Sequence, residues 1–441
     1  MNISIALQFV VVLFAIWAGA KVGGIGLGLW GGIGLLALVV LFGVAPTAPP
    51  VDVMLIILAV ITAASVMDAA GGIDFLVRIA ERIIRANPRY VTIVAPLTTW
   101  AFTFLAGTGH IVYPLLPVIF ETAHQNGIRP ERPMAVATIA SQQAVTASPV
   151  AAATAAMIGL FSQAGLNDWG LPQLLLICVP ATLAGVLAAA VVSLFVGREL
   201  DADPVYRARL EAGLIAPARP AQERPPLPAS AARSALLFLG GVATIVLLGF
   251  FPEARKLPGA GQVLPMPVVI EIVMLAVAAI MLLATRTAPE AVPRTATMRA
   301  GIVAVVGIFG LAWLGDSFIS AHKEVIVPVI GDLAATAPWL FAFGLFFASV
   351  LLYSQAATTR ALMPLGIALG IPPQFLIAMF PSVNGYFFIP TYGSLIAAIN
   401  FDLTGTTRIG RYILNHSFML PGLVATIVAV GSGMVLARLI Y

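Results

Sequence analysis

Charge is what this sequence has least of. Asp, Glu, Lys and Arg together make up 10% of its 441 residues, where a soluble domain carries about a quarter. So little charge excludes an ordinary solvated surface. Cysteine is nearly missing as well. The single Cys178 sits in an apolar run, which rules out an intramolecular disulfide and a cysteine-based metal site. No Walker A loop, nucleophile elbow, HExxH or His/Asp cluster occurs, so nothing in the chain marks an enzyme, a resident metal or a cofactor. The net charge of +4 is small for the length. Much of it is arginine in a few loops, which serves membrane topology better than nucleic-acid binding.

What remains is apolar. The chain is 60% hydrophobic, with a mean hydropathy of +1.02. Leu, Val, Ala and Gly dominate without strand-like alternation, so the expectation is an all-α polytopic membrane protein and not a β-barrel. Apolar runs of spanning length fall near 3–20, 24–45, 51–69, 133–162, 171–196, 234–252, 264–285, 298–315, 372–400 and 412–437. Each matches the roughly 20 residues that a helix needs to cross a bilayer. The first run lacks a preceding basic region and a convincing cleavage site, and reads as a span, not a removed signal peptide. Segment 73–87 differs in kind: Ile73, Leu76, Val77, Ala80, Ile83 and Ile84 share one face, and Asp74, Arg78, Glu81, Arg82 and Arg85 the other. That pattern predicts an amphipathic helix in the membrane interface.

Two regions interrupt the apolar pattern in matched ways. Residues 90–126 form two short arms around Gly107-Thr108-Gly109-His110, and residues 338–370 form two around the segment 354–360. Arms too short to span predict re-entrant hairpins, the first entering from the cytoplasm and the second from the periplasm. Thr108-x-His110-x-x-x-Pro114 matches Thr358-x-Arg360-x-x-x-Pro364. Gly127-Ile128 matches Gly370-Ile371, and Ser141 precedes Pro149 by the same step as Ser382 precedes Pro390. The order predicts two inverted repeats, 1–196 and 234–441, each of five spans plus a hairpin. An arginine- and proline-rich linker, 197–233, joins them and is helical near 206–211. With the linker in the cytoplasm, most basic loops fall inside and both termini are periplasmic.

Polar groups inside such a chain are expensive and persist where they line a cavity or carry function. Free helix N-termini bind anions without a metal. Ser148-Pro149 reads as an N-cap with proline at the first helical position. The hairpin tips, Asn384-Gly385 and Pro390-Thr391 supply further breaks. Arg360, far from any predicted loop, suits a carboxylate, which a guanidinium grips with two parallel hydrogen bonds. The bland alternatives for it are a structural ion pair or snorkelling. His110 reads equally as a donor to carboxylate and as a structural histidine. Gln142, Gln143, Gln355 and Asn384 offer amides, and Ser141, Ser354, Thr108, Thr358, Thr359 and Thr391 offer hydroxyls. Tyr392 reads either as a lid or as packing. Asp68 and Asp316 are expected to cap the helices that follow them, and Asp402 to make a loop contact near Arg408.

These motifs resemble a known family. PPVDVMLIILAVITAAS (49–65), NPRYVTIVAP (87–96), GTGHIVYPLLPVI (107–119), NGIRPERPMA (126–135), SQQAVTASPV (141–150), SQAATTRALMP (354–364), IPTYGSLIAAINFD (389–402) and GTTRIGRYILNHSFMLPG (405–422) are similar to the Dcu family of anaerobic C4-dicarboxylate transporters. The 354–364 tip looks most like the DcuA-type branch, while Gly393 stands where that pattern has proline. The resemblance implies a bacterial inner-membrane carrier for aspartate, fumarate, malate and succinate, working by exchange; sodium- or proton-coupled symport is the alternative. It also implies an elevator-type scaffold of the ion-transporter superfamily in a homodimer. In this reading Arg360 pairs with one carboxylate. Thr108, Gly109, His110 and Ser148 receive the other. Thr358, Thr359, Asn384, Ser141, Gln142, Gln355 and Thr391 complete the shell.

Overall fold

The computed structural model describes residues 3–22, 24–49, 51–215, 226–257, 263–318, 320–322, 339–352, 354–390, 392–412 and 414–441. Among them the chain is all helical, with two isolated β-bridges, Lys256 to Val263 and Ile409 to His416, and no strand. This follows from the hydropathy. In lipid a backbone must satisfy its own polar groups, and a helix does so within one segment.

Helices α1 (Ile3–Val22) and α2 (Gly26–Phe42) pack on one another at the edge, over a small core of their own formed with Leu311, Leu314 and Phe318. Helix α3 (Val51–Ala69) bends by 72° into α4 (Gly72–Ala86). The amphipathic pattern holds in α4: Leu76, Val77, Ala80 and Ile84 are buried. They are buried within the protein, because α4 lies across α5 (Val91–Ala106), α6 (Val112–Gln125) and the later helix α11 (Ala229–Phe250).

Helices α5 and α6 are the first hairpin. Their 16 and 14 residues reach about 24 and 21 Å at 1.5 Å per residue, short of a hydrocarbon core of about 30 Å. Then come α7 (Glu131–Val145), α8 (Ala152–Gln163) and the long α9 (Leu171–Ser193). The run expected at 133–162 is thus broken at 146–151. The short α10 (Pro204–Glu211) confirms helix in the linker. Beyond α11 lie α12 (Met266–Thr285) and α13 (Ala296–Gly307), which continues through a π-helical turn, Ile308–Ala312.

The second hairpin is α14 (Leu340–Leu352) and α15 (Gln355–Ala368), with 13 and 14 residues. The broken segment after it is α16 (Pro373–Met379), a 3-10 stretch Phe380–Phe387 and α17 (Gly393–Phe401). Asn384 departs from helical geometry at φ −98° and ψ 19°. Helix α18 (Met419–Ile440) closes the chain and packs along α9. Among the described residues, α9, α11, α12, α18 and the run Ala296–His322 are long and apolar enough to cross a bilayer.

Both hairpins leave by the same turn. Gly127 (φ 66°) and Gly370 (φ 71°) are left-handed. The N–H groups of Ile128 and Ile371 reach back to Ala123 O (2.9 Å) and Gly366 O (3.2 Å). This is a Schellman closure, which glycine enters without the steric penalty of a Cβ. The sequence match at these two glycines therefore has the same backbone in each copy.

Of three expected contacts, two differ. Asp68 does not cap α4, whose N-cap is Gly71; its carboxylate instead accepts from Thr297 Oγ1 (2.8 Å) on α13. The segment 323–338 after Asp316 lies outside the described residues. Asp402 does not meet Arg408. It is buried, and accepts from Thr404 N (2.9 Å), Thr404 Oγ1, Thr406 Oγ1 (2.8 Å) and Thr407 N (2.6 Å). Hydroxyls and amides close at hand satisfy a buried carboxylate where an exposed arginine would have to be pulled in from water.

Candidate functional site

Every residue of α7 is buried, although Thr138, Ser141, Gln142 and Gln143 are polar. Buried amides must find partners, and these find one another across the two halves of the chain. Gln143 Nε2 donates to Thr426 Oγ1 (3.1 Å), and Asn384 Nδ2 donates to Gln143 Oε1 (3.3 Å). Gln355 Nε2 lies within hydrogen-bond distance of Asn384 Oδ1 (3.1 Å), Gln142 Oε1 (3.2 Å) and Tyr386 OH (2.9 Å). Gln142 Nε2 continues to Ser141 Oγ (3.1 Å) and Ser394 Oγ (3.5 Å). The result is a ladder of amides joining α7, the second hairpin tip, the break at Asn384 and α17. In a low dielectric each bond in such a chain polarises the next.

Above the ladder the two hairpin tips face one cavity of about 190 Å³. Thr108, Gly109, His110 and Tyr113 line it from the first hairpin; Ser354, Gln355 and Ala356 line it from the second; Gln142 and Tyr392 complete its walls. Gly109 is required here by close approach: a Cβ on it would stand 2.8 Å from Gln142 Nε2. The first tip also walls a second cavity of about 130 Å³, on the side of α3 and Thr297. Thr108 and His110 border both.

The tips are built alike. Thr108 and Ser354 are both extended, and each turns its hydroxyl to the backbone that follows: Thr108 Oγ1 accepts from His110 N (3.3 Å) and Ser354 Oγ from Ala357 N (3.2 Å). Ser354 thus holds the cap position of the second tip. Thr358, its expected counterpart, lies one turn into α15. The cap uses Ala357 N–H and leaves the N–H groups of Gln355 and Ala356 without an intrahelical acceptor, at the positive end of a helix.

Of the remaining candidates, Thr358 and Thr359 are buried and donate to their own helix, to Ser354 O (2.8 Å) and Gln355 O (2.7 Å). Ser141 lies under Gln142, and Asn384 behind Gln355. Ser148 is not an N-cap: Ala151 holds that place before α8. Ser148 Oγ donates to Phe104 O (2.7 Å), tying the break between α7 and α8 to the first hairpin. The structure prefers this because Phe104 O, near the end of α5, needs a donor that α5 cannot supply. Thr391 lies outside the described residues.

Arg360 does not line the cavity directly. It sits on α15 one turn below Ala356, on the same face, and helical side chains lean towards the N-terminus. It is 3% exposed, and its Nη1 has no hydrogen-bond partner. A buried guanidinium with an unused donor is costly, by several kcal/mol in order of magnitude, and among the described residues Arg360 is the arginine nearest this cavity in the chain, one turn from Ala356.

Sequence reasoning missed Tyr113, Tyr386 and Ser394. Tyr113 is three residues after His110, and its ring stacks on that imidazole at 5.9 Å; helical spacing at i and i+3 is the signal for it. Tyr386 packs against Tyr392 with tilted rings, centroids 4.4 Å apart, so Tyr392 packs and also lines the cavity. Ser394 reaches Gln142 over a separation of 252 residues, for which the sequence holds no signal.

Comparison with known proteins agrees with this architecture. Two solved structures share the fold. The Alcanivorax borkumensis YdaH transporter has a TM-score of 0.56 at 13% identity, over 89% of this chain and 85% of its own. MtrF of Neisseria gonorrhoeae, from a class of antimetabolite efflux pumps, has a TM-score of 0.54 at 12% identity, over 99% and 94%. The anaerobic C4-dicarboxylate transporter DcuB of Escherichia coli O157:H7 is 39% identical over 440 residues, 98% of each chain. The C4-dicarboxylate transporter DcuA of Escherichia coli K12 is 40% identical over 433 residues, 98% of this chain and 99% of its own. That of Wolinella succinogenes is 39% identical over 436 residues, again 98% and 99%. The family described as anaerobic C4-dicarboxylate membrane transporter matches residues 4–441. The chain therefore belongs to that family, one of transporters and not of enzymes, and carries the DcuA_DcuB signature along nearly all its length.

Proposed function

We propose that this protein is a secondary carrier that exchanges C4-dicarboxylates, aspartate or fumarate inward for succinate outward, with malate as a further substrate. It works in the bacterial inner membrane, as two inverted repeats with both termini periplasmic. One observation supports this above the others: two hairpin tips, about 250 residues apart along the chain, meet at one small cavity lined by both. A cavity of 190 Å³ is below the range of about 300–1,000 Å³ that holds drug-sized ligands, and a four-carbon diacid is correspondingly small.

In this reading Arg360 turns its unpaired Nη1 to one carboxylate. The free N–H groups of Gln355 and Ala356, with Thr108, Gly109 and His110, receive the other. The amide ladder holds both tips in register, and Thr358, Thr359, Asn384, Ser141 and Ser148 act behind it as supports. Carriage then moves the hairpin-bearing unit against the scaffold of a homodimer, elevator fashion, with the substrate bound comparably at both ends. Sodium- or proton-coupled symport is the second reading, favoured by the helix break at 146–151, because backbone carbonyls at such breaks coordinate a cation well.

The test is counterflow in proteoliposomes. Fumarate uptake should be accelerated by internal succinate and be indifferent to sodium and pH gradients. Arg360→Gln should weaken the apparent affinity for fumarate about 30-fold or more, the cost of about 2 kcal/mol for truncating one partner of a buried charge pair. Unchanged affinity in that variant removes Arg360 from the site. Uptake that needs a sodium gradient and ignores internal succinate replaces exchange by symport.

A further inference from the structure

A further cavity, of about 570 Å³, lies at one end of the bundle, where α7 begins, α9 ends and α18 begins. Its charged walls are Glu131, Arg132, Arg408 and Arg411. The carboxylate of Glu131 is already in use: Oε2 takes Arg129 Nε (2.6 Å) and Oε1 takes Ser417 Oγ (2.6 Å). Arg132 is also engaged, with Val196 O (2.9 Å) and Glu199 Oε1 (3.0 Å). His416 faces the same space as a neutral ring, because its Nδ1 accepts from Phe418 N (3.2 Å) and its Nε2 then donates to Phe388 O (3.4 Å). That leaves Arg408 and Arg411. Both are exposed, and neither forms an ion pair among the described residues. The cavity therefore carries two positive charges that no carboxylate among the described residues balances.

The rim is apolar. Leu420 is 47% exposed at the start of α18 and Ile409 43% in the loop; both line the cavity. Phe195, at the end of α9, is 83% exposed, and Tyr412 beside Arg411 is 67% exposed. An exposed loop that alternates arginine with Ile409 and Tyr412 is poorly suited to bulk water and well suited to the level of lipid headgroups. A soluble anion would use the arginines and leave these side chains in water. A lipid uses both.

We propose that this cavity binds the phosphate of an anionic phospholipid, with Arg408 and Arg411 on the phosphate and the acyl chains running over Leu420 and Phe195. Basic pockets between membrane helices take such headgroups, and the anionic lipid of the cytoplasmic leaflet supplies them. Because the loop 408–417 is tied through Ser417 and Glu131 to the start of α7, the lipid braces the helix that carries Gln142 and Gln143.

The test uses the full-length protein in detergent, with thermal unfolding followed during titration of dioleoyl phosphatidylglycerol, dioleoyl phosphatidylcholine or inorganic phosphate. Phosphatidylglycerol should raise the unfolding midpoint saturably, and phosphatidylcholine and inorganic phosphate should not. The double variant Arg408→Gln/Arg411→Gln replaces two exposed side chains. It should fold and lose at least about tenfold in apparent affinity for phosphatidylglycerol. The control Arg294→Gln/Arg299→Gln, exposed arginines just before and in the first turn of α13, should bind as the wild type does. Equal stabilisation by phosphatidylcholine, undiminished phosphatidylglycerol binding in the double variant, or an equal loss in the control overturns the proposal. Saturable stabilisation by inorganic phosphate, lost in the double variant, replaces the lipid by a soluble anion. The readout is binding, so it stands apart from whether the protein exchanges dicarboxylates.

Discussion

Gln355 is the joint of the proposed site, and its removal has a calculable consequence. Gln355→Leu keeps the volume and deletes the amide. Ser354 still caps Ala357 N, so α15 keeps its start. What is lost is the donor shared by Gln142 Oε1, Asn384 Oδ1 and Tyr386 OH. Gln142 borders the cavity, where water can replace the lost donor. Asn384 and Tyr386 are buried and cannot be reached in this way. Two stranded polar groups at about 1–3 kcal/mol each give a destabilisation of about 2–6 kcal/mol. Gln355→Leu should therefore lower the unfolding midpoint in nanodiscs clearly. Combining it with Asn384→Ala should cost less than the two single changes added, by about 1–2 kcal/mol, because the second change removes an acceptor already stranded. Unfolding of all four proteins, followed by tryptophan fluorescence, measures that cycle. Additivity within about 0.3 kcal/mol refutes the coupling of Gln355 to Asn384, and with it the claim that the second tip is held by the break at Asn384.

Two further outcomes follow from the same geometry. Ser148→Ala removes the bond to Phe104 O and should cost about 1 kcal/mol of stability while leaving substrate affinity unchanged; a large loss of affinity with normal stability would return Ser148 to the substrate shell. Asp203 lies in the linker, where burial opposes its charge, but Arg129 and the N–H groups of Val205 and Tyr206 more than offset this and hold its carboxyl below the usual range. The sign then runs one way. The contribution is full above an unfolded carboxyl value of about 3.9 and is lost as pH falls through the lower folded value. Asp203→Asn should flatten the acid side of the stability profile measured by thermal unfolding, and an unchanged profile would remove Asp203 from the balance.

Ser148 and Asp402 show where sequence reasoning stopped. A serine before a proline is an N-cap by local preference, yet Phe104, 44 residues away, supplies the acceptor that decides its role. Asp402 has an arginine six positions on, yet three threonines and the intervening backbone reach it first. The linker reads as a spacer by composition, yet Asp203 locks onto Arg129 and Tyr206 meets His124 (3.3 Å), so its first part is fastened to the exit of the first hairpin. For Ser148 and the linker the competing partner is distant in sequence and close in space; for Asp402 it is nearer along the chain than the arginine.

What the sequence determined by itself was everything that depends on nearest neighbours and on solvent. Apolar composition requires a bilayer and therefore helices. Arms too short to span fold back. Gly127 and Gly370 close both hairpins because only glycine takes that backbone cheaply. Tertiary structure alone decided which polar groups face one another. Gln355 meets Gln142 across 213 residues, and this cannot be read along the chain, because a buried amide's partner is set by how helices pack in three dimensions and not by its spacing.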